Sequence, residues 1–161
     1  MTTTLPGLGG RIAIRIHGTP IPQGSKVANR HGGGVRDANA ARLKPWRDHV
    51  TATAADTTRY HDTLTGPIQV WLRFTFDRPL SHYRTGRNAH LLKDTAPAWP
   101  ISRNHGDADK LTRAIFDSLT DAEVWVDDSL VVDHRVRKFY AHGHELALDR
   151  PGVDIIIEEL A

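Results

Sequence analysis

Residues 68–77, IQVWLRFTFD, constrain the fold more than any other segment of this 161-residue chain. Apolar and polar side chains alternate along the segment, which is the pattern of a β-strand with one buried face. That face collects Ile68, Val70, Leu72, Phe74 and Phe76. Trp71 falls on the opposite face, so we expect a second packed surface there, formed by a helix lying across it or by a subunit interface.

Other segments also have the periods of secondary structure. Alternation predicts strands over residues 11–17, 131–140 and 153–159. In the strand at 131–140, we expect one side to carry Val132, Val136 and Tyr140. Spacings of three and four predict helices over residues 38–58 and 109–120. The buried stripe of the first helix is Leu43, Trp46, Val50 and Ala54, and that of the second is Leu111, Ile115 and Leu119.

The order of these elements predicts an α+β domain, with an α/β-type mixed sheet and two main helices. Pro45 is tolerated only in a first helical turn, which favours a start of the first stable helix near Lys44. The length suits one domain. We place that domain at residues 11–161, after a flexible leader at residues 1–10.

Two connections are long and basic. Residues 18–36 are rich in glycine and proline and predict a loop, either a solvent-exposed linker or an arm that lies along a nucleic-acid backbone through Lys26 and Arg30. Residues 78–105 have no sustained period and predict a long irregular loop. Loops of more than about 15 residues are usually functional or disordered, and the position of this one just before Asp107 favours a function.

Composition excludes several classes of protein. The chain has no cysteine, which excludes disulfides, thiolate zinc sites and a thiol nucleophile. No apolar run approaches the roughly 18 residues of a membrane span, and the N-terminus lacks the pattern of a signal peptide, so we expect a cytoplasmic protein. The segment HGGGV at residues 31–35 lacks the Gly-Lys-Ser/Thr of a phosphate loop, so no nucleotide cofactor is expected.

Charge is segregated along the chain. Residues 104–133 hold eight carboxylates and only two cations, whereas residues 1–36 hold five cations and no acid. Residues 78–103 add five cations against Asp94 alone. Basic segments around an acidic centre suit a polyanionic partner, and the same composition equally suits a solvated surface of mixed sign. The candidate DNA-binding residues are Lys26, Arg30, Arg84, Arg87 and Lys93.

The acidic segment contains two aspartate pairs, one on each side of the second helix. Asp107 and Asp109 stand at the helix start, where one of them has a simple role as an N-cap, and Asp127 and Asp128 follow in a predicted turn. Two such pairs together indicate a divalent-cation site, because clustered carboxylates repel each other unless a cation offsets the charge. Oxygen ligands favour Mg²⁺, with Mn²⁺ as a substitute.

At these residues the sequence resembles the RusA-type Holliday junction resolvases of bacteria and their phages. The family pattern is an Asp-x-Asp at a helix start, then Asn-Leu-x-Lys, Asp-Ala-Leu, Asp-Asp and a Val-rich strand. The matching segments are DADKLTR (107–113), DSL (117–119), WVDD (125–128) and VVD (131–133), and GTPIPQGSK (18–26) is similar to the N-terminal loop of the family.

The resemblance implies a single RusA-like domain, a homodimer that uses Mg²⁺ to nick opposing strands of four-way junction DNA. Asp107, Asp109 and Asp128 match the essential carboxylates of the family, and the adjacent Asp127 is a further metal candidate. Lys110 stands where the pattern has Asn, and Arg113 where it has a catalytic Lys. Either cation would offset charge that develops in the transition state, although Arg113 is a poor proton donor.

Two other functions stay open at this point. The replacement of Lys by Arg113 also suits a non-catalytic binder of branched DNA with a degenerate site. A metal-dependent nuclease that acts on flaps or forks is the other alternative. His105, next to the first acidic pair, is a candidate for contact with the substrate.

Overall fold

A computed structural model describes residues 10–24, 26–28, 35–37 and 40–161, with the backbone alone described for 26–28 and 35–37. Of the interpretations above, the leader up to residue 9, Arg30 and most of the HGGGV segment lie outside the described residues. The strands are β1 (Arg11–His17), β2 (Lys26–Ala28), β3 (Val35–Asp37), β4 (Ile68–Phe76), β5 (Val131–Tyr140) and β6 (Gly152–Glu159). The helices are α1 (Ala40–Thr58) and α2 (Ala108–Asp121).

A four-stranded mixed sheet forms one layer of the fold, in the order β1-β6-β4-β5. β6 pairs antiparallel with both β1 and β4, whereas β4 and β5 run parallel. A parallel pair needs a crossover connection, and α2 lies within the one that joins β4 to β5. The mixed α+β architecture with two main helices is therefore confirmed.

Both helices cover the same face of the sheet, and each buries its one apolar stripe there. The core joins the alternating isoleucines of β1 and the predicted face of β4 to the stripes of α1 and α2. α2 buries Leu111, Ala114, Ile115 and Leu119, as its spacing predicts. In the part of the chain that the structure describes, no helix crosses the other face of the sheet. Trp71 is half-buried on that face, and the guanidinium carbons of Arg73 and Arg135 lie 5.8 and 5.5 Å from its ring centroid.

The start of α1 differs from the expectation. The helix begins at Ala40 and continues through Pro45, so the expected start near Lys44 is wrong. Proline in a helix removes one backbone hydrogen bond. Burial of Leu43 and Trp46 on the core side stabilises the turns on both sides of Pro45.

The position of Val132 also differs. The register of β4 and β5 shifts by one residue opposite Ile68 and Gln69, so that Val131 pairs with Ile68 and Asp133 with Gln69. Val132 is left between these pairs and is 63% exposed, and its expected place beside Val136 and Tyr140 is wrong. Side chains alternate between the two faces of the sheet along a strand. A bulge of one residue therefore moves the strand residues before it to the opposite face of the sheet.

The two long connections differ from each other. Within residues 18–36, β2 and β3 form a short antiparallel ladder that the expected loop did not include. Residues 78–105 are irregular as expected, with single 3₁₀ turns at Leu80–His82, Gly86–Asn88 and Arg103–His105. No helix among the described residues is long and apolar enough to cross a membrane.

Candidate active site

Asp107 occupies the N-cap position of α2, but its carboxylate makes no capping hydrogen bond. The side chain is 66% exposed, and its nearest charge is the Lys110 ammonium at 3.5 Å. An N-cap aspartate usually accepts a hydrogen bond from the first turn. The capping role therefore does not occupy the carboxylate of Asp107, which stays available for another partner.

Asp109 and Arg113 follow on one exposed face of α2, four residues apart. Neither side chain has a hydrogen bond or ion pair with any residue in the described ranges. The acids farther along the helix differ, because Arg47 of α1 lies 3.7 Å from Asp117 and 2.9 Å from Asp121. The C-terminal acids of α2 thus bind the two helices together, whereas Asp109 does not contribute to the packing.

The two carboxylates of the second acidic pair, Asp127 and Asp128, also differ in whether they have a structural partner. Asp127 accepts a hydrogen bond of 2.8 Å from the backbone N–H of Ser129, which caps the turn at Asp128–Leu130. This bond lowers the pKa of Asp127 below its usual value. Asp128 is exposed and has no partner among the side chains that the structure describes. Asp127 is thus the structural member of the pair.

The two pairs lie toward opposite ends of β5. Lys138, near the C-terminal end of the strand, contacts Gly106, which immediately precedes Asp107. Asp128 comes before Val131, the first residue of the strand, and Val131 is roughly 23 Å from Lys138 along an extended chain. Within the described ranges, no group of three or more His, Cys, Asp or Glu side chains stands close enough to hold a metal ion. The protomer therefore does not bring the two pairs together.

Lys138 is a residue of this region that sequence reasoning missed. Its ammonium donates a hydrogen bond of 3.1 Å to the carbonyl oxygen of Gly106. Lys138 pairs with Phe74 in the parallel ladder and is half-buried on the helix-covered side of the sheet. The sequence does carry a signal for Lys138, because its two-residue spacing from Val136 and Tyr140 places it on the same face of the strand. A charged side chain on the buried face of a strand needs a partner.

His105 stands one residue before Gly106 in a small aromatic cluster. Its ring centroid is 4.7 Å from that of Phe76, and a hydrogen bond of 3.3 Å joins its Nε2 and the Tyr140 hydroxyl. Burial raises the pKa of Tyr140, so the phenol keeps its proton. Burial, with Lys138 and His82 nearby, lowers the pKa of His105. The imidazole is therefore neutral near pH 7, and its contact with a substrate stays a prediction.

Gly106 connects this region to the segment after β1. Its φ of +85° and ψ of 163° are values that only glycine adopts without strain. A Cβ at this position would lie 2.5 Å from Cγ of Pro22. The backbone N–H of Gln23 also donates to the carbonyl of Lys110 at 3.1 Å. Pro22 and Gln23, which follow β1, are thus fixed against the start of α2.

The predicted DNA-binding residues have different surroundings. Arg84 donates to the carbonyl of Leu92 and to Asp94, both at 3.1 Å, and so stabilises its own loop. Arg87 and Lys93 are exposed, and their side chains have no partner in the described part of the chain. Lys26 lies in β2, where the backbone alone is described.

Comparison with known proteins decides the family. A family model described as "Endodeoxyribonuclease RusA" matches residues 17–158, from the last residue of β1 into β6. The chain belongs to the RusA family. The RusA match includes both acidic pairs, Lys138 and the loop at residues 78–105. The chain is also 26% identical over 151 residues to the uncharacterized protein YqaN of Bacillus subtilis, a match that covers 93% of this chain and 97% of that protein.

Proposed function

We propose that this RusA-family protein is a Mg²⁺-dependent endonuclease that resolves Holliday junctions by paired nicks, in DNA recombination and repair. One observation carries the proposal beyond family membership. In an acidic segment where Asp117, Asp121 and Asp127 each have a structural partner, Asp109 and Asp128 have none among the residues that the structure describes. Two of the three carboxylates that match the family's essential ones are therefore not engaged by the described fold, a state that Glu123 shares, and the third, Asp107, contacts only Lys110.

The donor set suits a hard divalent cation. Asp107, Asp109 and Asp128 offer exposed carboxylate oxygens, which Mg²⁺ and Mn²⁺ prefer, and Asp127 can contribute the oxygen that it does not use as a cap. When bound, such an ion polarises a phosphodiester and activates water. We assign to Lys110 and Arg113 the stabilisation of charge on the phosphate, because both cations lie within a turn or so of Asp109.

A homodimer is part of the proposal. The two acidic pairs lie toward opposite ends of β5, and no described cluster in one protomer could hold a metal. A complete site would then combine Asp107 and Asp109 of one protomer with Asp128 of the partner subunit. A two-fold dimer carries two such sites, which suits a junction with two symmetry-related strands to cut.

Basic residues of the two long connections would hold the DNA backbone. Arg87 and Lys93 support this role best, because their charges are exposed and unpaired in the described structure. Arg84 contributes by fixing the loop that carries them. Lys26 and Arg30 stay candidates for the same role on the basis of charge.

The decisive test compares Asp109→Asn with Asp117→Asn on a labelled synthetic four-way junction, with and without Mg²⁺ or Mn²⁺. The wild type should nick opposing strands symmetrically only with the metal. Asp109→Asn should bind the junction without cutting it, whereas Asp117→Asn, which alters only the contact with Arg47, should keep cutting. Unchanged cleavage by Asp109→Asn would contradict the assignment. Flaps and forks in the same assay test the alternative substrates.

A non-catalytic binder of branched DNA is the second candidate. It is favoured by the presence of Arg113 in place of the family lysine and by the lack of a gathered carboxylate cluster in the described protomer. A shifted but uncut junction at every metal concentration would support the binder and exclude the enzyme.

A further inference from the structure

A cavity of about 360 Å³ lies beside the first acidic pair and has no role in the function proposed above. Three parts of the chain enclose it: the segment after β1, the first turn of α1, and the turn at Arg103–His105 that leads into Gly106 and Asp107. We call it the basic cavity and define it by Ile21, Arg42, Phe76, Arg103, Asn104 and His105. Its size is within the usual range of ligand pockets.

The polar side of the basic cavity is cationic, and its side chains lack partners among the described residues. Arg42 and Arg103 are exposed, and neither guanidinium has a partner in the ranges that the structure describes. The side-chain amide of Asn104 is also unpaired there. None of the described residues that line the basic cavity is acidic. The two guanidinium groups suit a phosphate, and the amide of Asn104 suits a hydrogen bond to the edge of a base.

The other side of the basic cavity is apolar and aromatic. Ile21 and Phe76 are almost fully buried, and the His105 ring packs on Phe76 with centroids 4.7 Å apart. The hydrogen bond between Tyr140 and His105 holds that ring in place. A flat apolar group fits such a wall, because nucleobases stack on rings of this kind.

We propose that the basic cavity binds one unpaired nucleotide of the DNA strand that enters the acidic site. Arg42 and Arg103 hold its phosphate, Phe76 and His105 contact its base, and Asn104 reads the base edge. Branch points supply bases that are already unstacked or easily extruded, so the energetic cost of opening is low there. The inference rests on the proposed action on branched DNA and adds to it a position at which sequence is read.

The test uses four-way junctions with 2-aminopurine at single positions flanking the exchange point, in EDTA so that no cleavage is required. With the wild type, fluorescence should rise at one position, because 2-aminopurine brightens when it leaves the stack. The rise should be lost in the double variant Arg42→Ala/Arg103→Ala. Arg59→Ala is the matched control, since Arg59 directly follows the other end of α1, and it should keep the full rise.

A second variant keeps the charges and blocks the space. Thr19 lines the cavity and is exposed, so Thr19→Trp should fill it without disturbing the core and should also remove the rise. Loss of each arginine should reduce the slope of log affinity against log salt by about 1.

The inference would be overturned if 2-aminopurine brightened at no position with the wild type, or if the rise in fluorescence survived in both cavity variants. It would also be overturned if the double variant bound the junction more weakly while the wild type gave no 2-aminopurine signal. The last result would reduce the cavity to a backbone contact. Failure of the wild type to nick junctions in Mg²⁺ would instead contradict the proposed function, and the fluorescence in EDTA is independent of it.

Discussion

The ammonium of Lys138 donates a hydrogen bond of 3.1 Å to the carbonyl oxygen of Gly106, which joins the end of β5 to the residue before Asp107. The contact fixes a peptide that precedes the N-cap of α2. Because Asp107 and Asp109 follow directly, we infer that Lys138 positions both carboxylates without touching a substrate.

Replacement of Lys138 should therefore impair cleavage more than it impairs folding. Lys138→Met removes a hydrogen bond to a charged donor, worth about 1.5–3 kcal/mol in the free energy of unfolding. A displacement of about 1 Å at the acidic pair can lower nicking about 100-fold. Urea denaturation and single-turnover nicking measure the two effects separately.

A positioning role predicts a further effect of Lys138→Met, a higher Mg²⁺ concentration at half-maximal rate. Lys138→Arg keeps the charge and should recover part of both the rate and the metal dependence. If Lys138→Met loses only stability and cuts at the wild-type rate when folded, Lys138 has a purely structural role.

Local patterns explain which parts of the fold the sequence alone could predict. Alternation locates β1 and β4, and the helical spacing of Leu111, Ile115 and Leu119 locates α2 within about one residue at each end, because these patterns reflect burial along a single element. The position of Val132 could not be predicted, since it depends on a register shift against another strand.

The candidate site was predictable to a smaller extent, for the same reason. The spacing of the aspartates marks the acidic pairs, but their placement toward opposite ends of β5 follows from how α2 packs on the sheet. The contact of Lys138 with Gly106 joins residues 32 positions apart, and the basic cavity joins three separate segments. No local period encodes either arrangement.

Gly106 should be one of the least replaceable glycines of the described chain. Gly106→Ala places a side chain at φ +85°, with its Cβ 2.5 Å from Cγ of Pro22. The backbone strain alone costs about 1–3 kcal/mol, and the clash with a rigid ring adds to it. Gly86→Ala is the control, because Gly86 has φ +65° and open space around its Cβ. Equal losses of unfolding free energy in the two variants would show that the Pro22 contact contributes nothing.

The cations of the loop at residues 78–105 should differ in effect. Arg87→Ala and Lys93→Ala remove exposed charges that have no partner among the described residues, so each should weaken junction binding and lower the salt slope by about 1. Arg84→Ala breaks contacts to Leu92 and Asp94 and should instead increase proteolytic cleavage of the loop. A salt slope that stays unchanged in both Arg87→Ala and Lys93→Ala would place the DNA elsewhere.

Arg113 tests whether the family cation acts through charge or through proton transfer. A guanidinium group can stabilise a phosphate, but it is a poor proton donor. We expect Arg113→Ala to lower the nicking rate about 100-fold, as for the loss of one group that stabilises transition-state charge. Arg113→Lys should keep most of the rate. A rate for Arg113→Ala equal to that of the wild type would remove Arg113 from the site.

Mixing two inactive variants tests whether the carboxylates come from both protomers. Asp109→Asn and Asp128→Asn should each abolish nicking alone. After subunit exchange, a heterodimer of the two carries one site with both substitutions and one site with neither, if each site takes Asp109 from one protomer and Asp128 from the partner subunit. The mixture should then nick junctions, mostly in one strand, and denaturing electrophoresis distinguishes these single nicks from paired ones. If each protomer builds its own site, every site in the heterodimer lacks one carboxylate and the mixture stays inactive. That result, obtained with subunit exchange verified by mass spectrometry, would contradict the shared site while leaving the proposed chemistry intact.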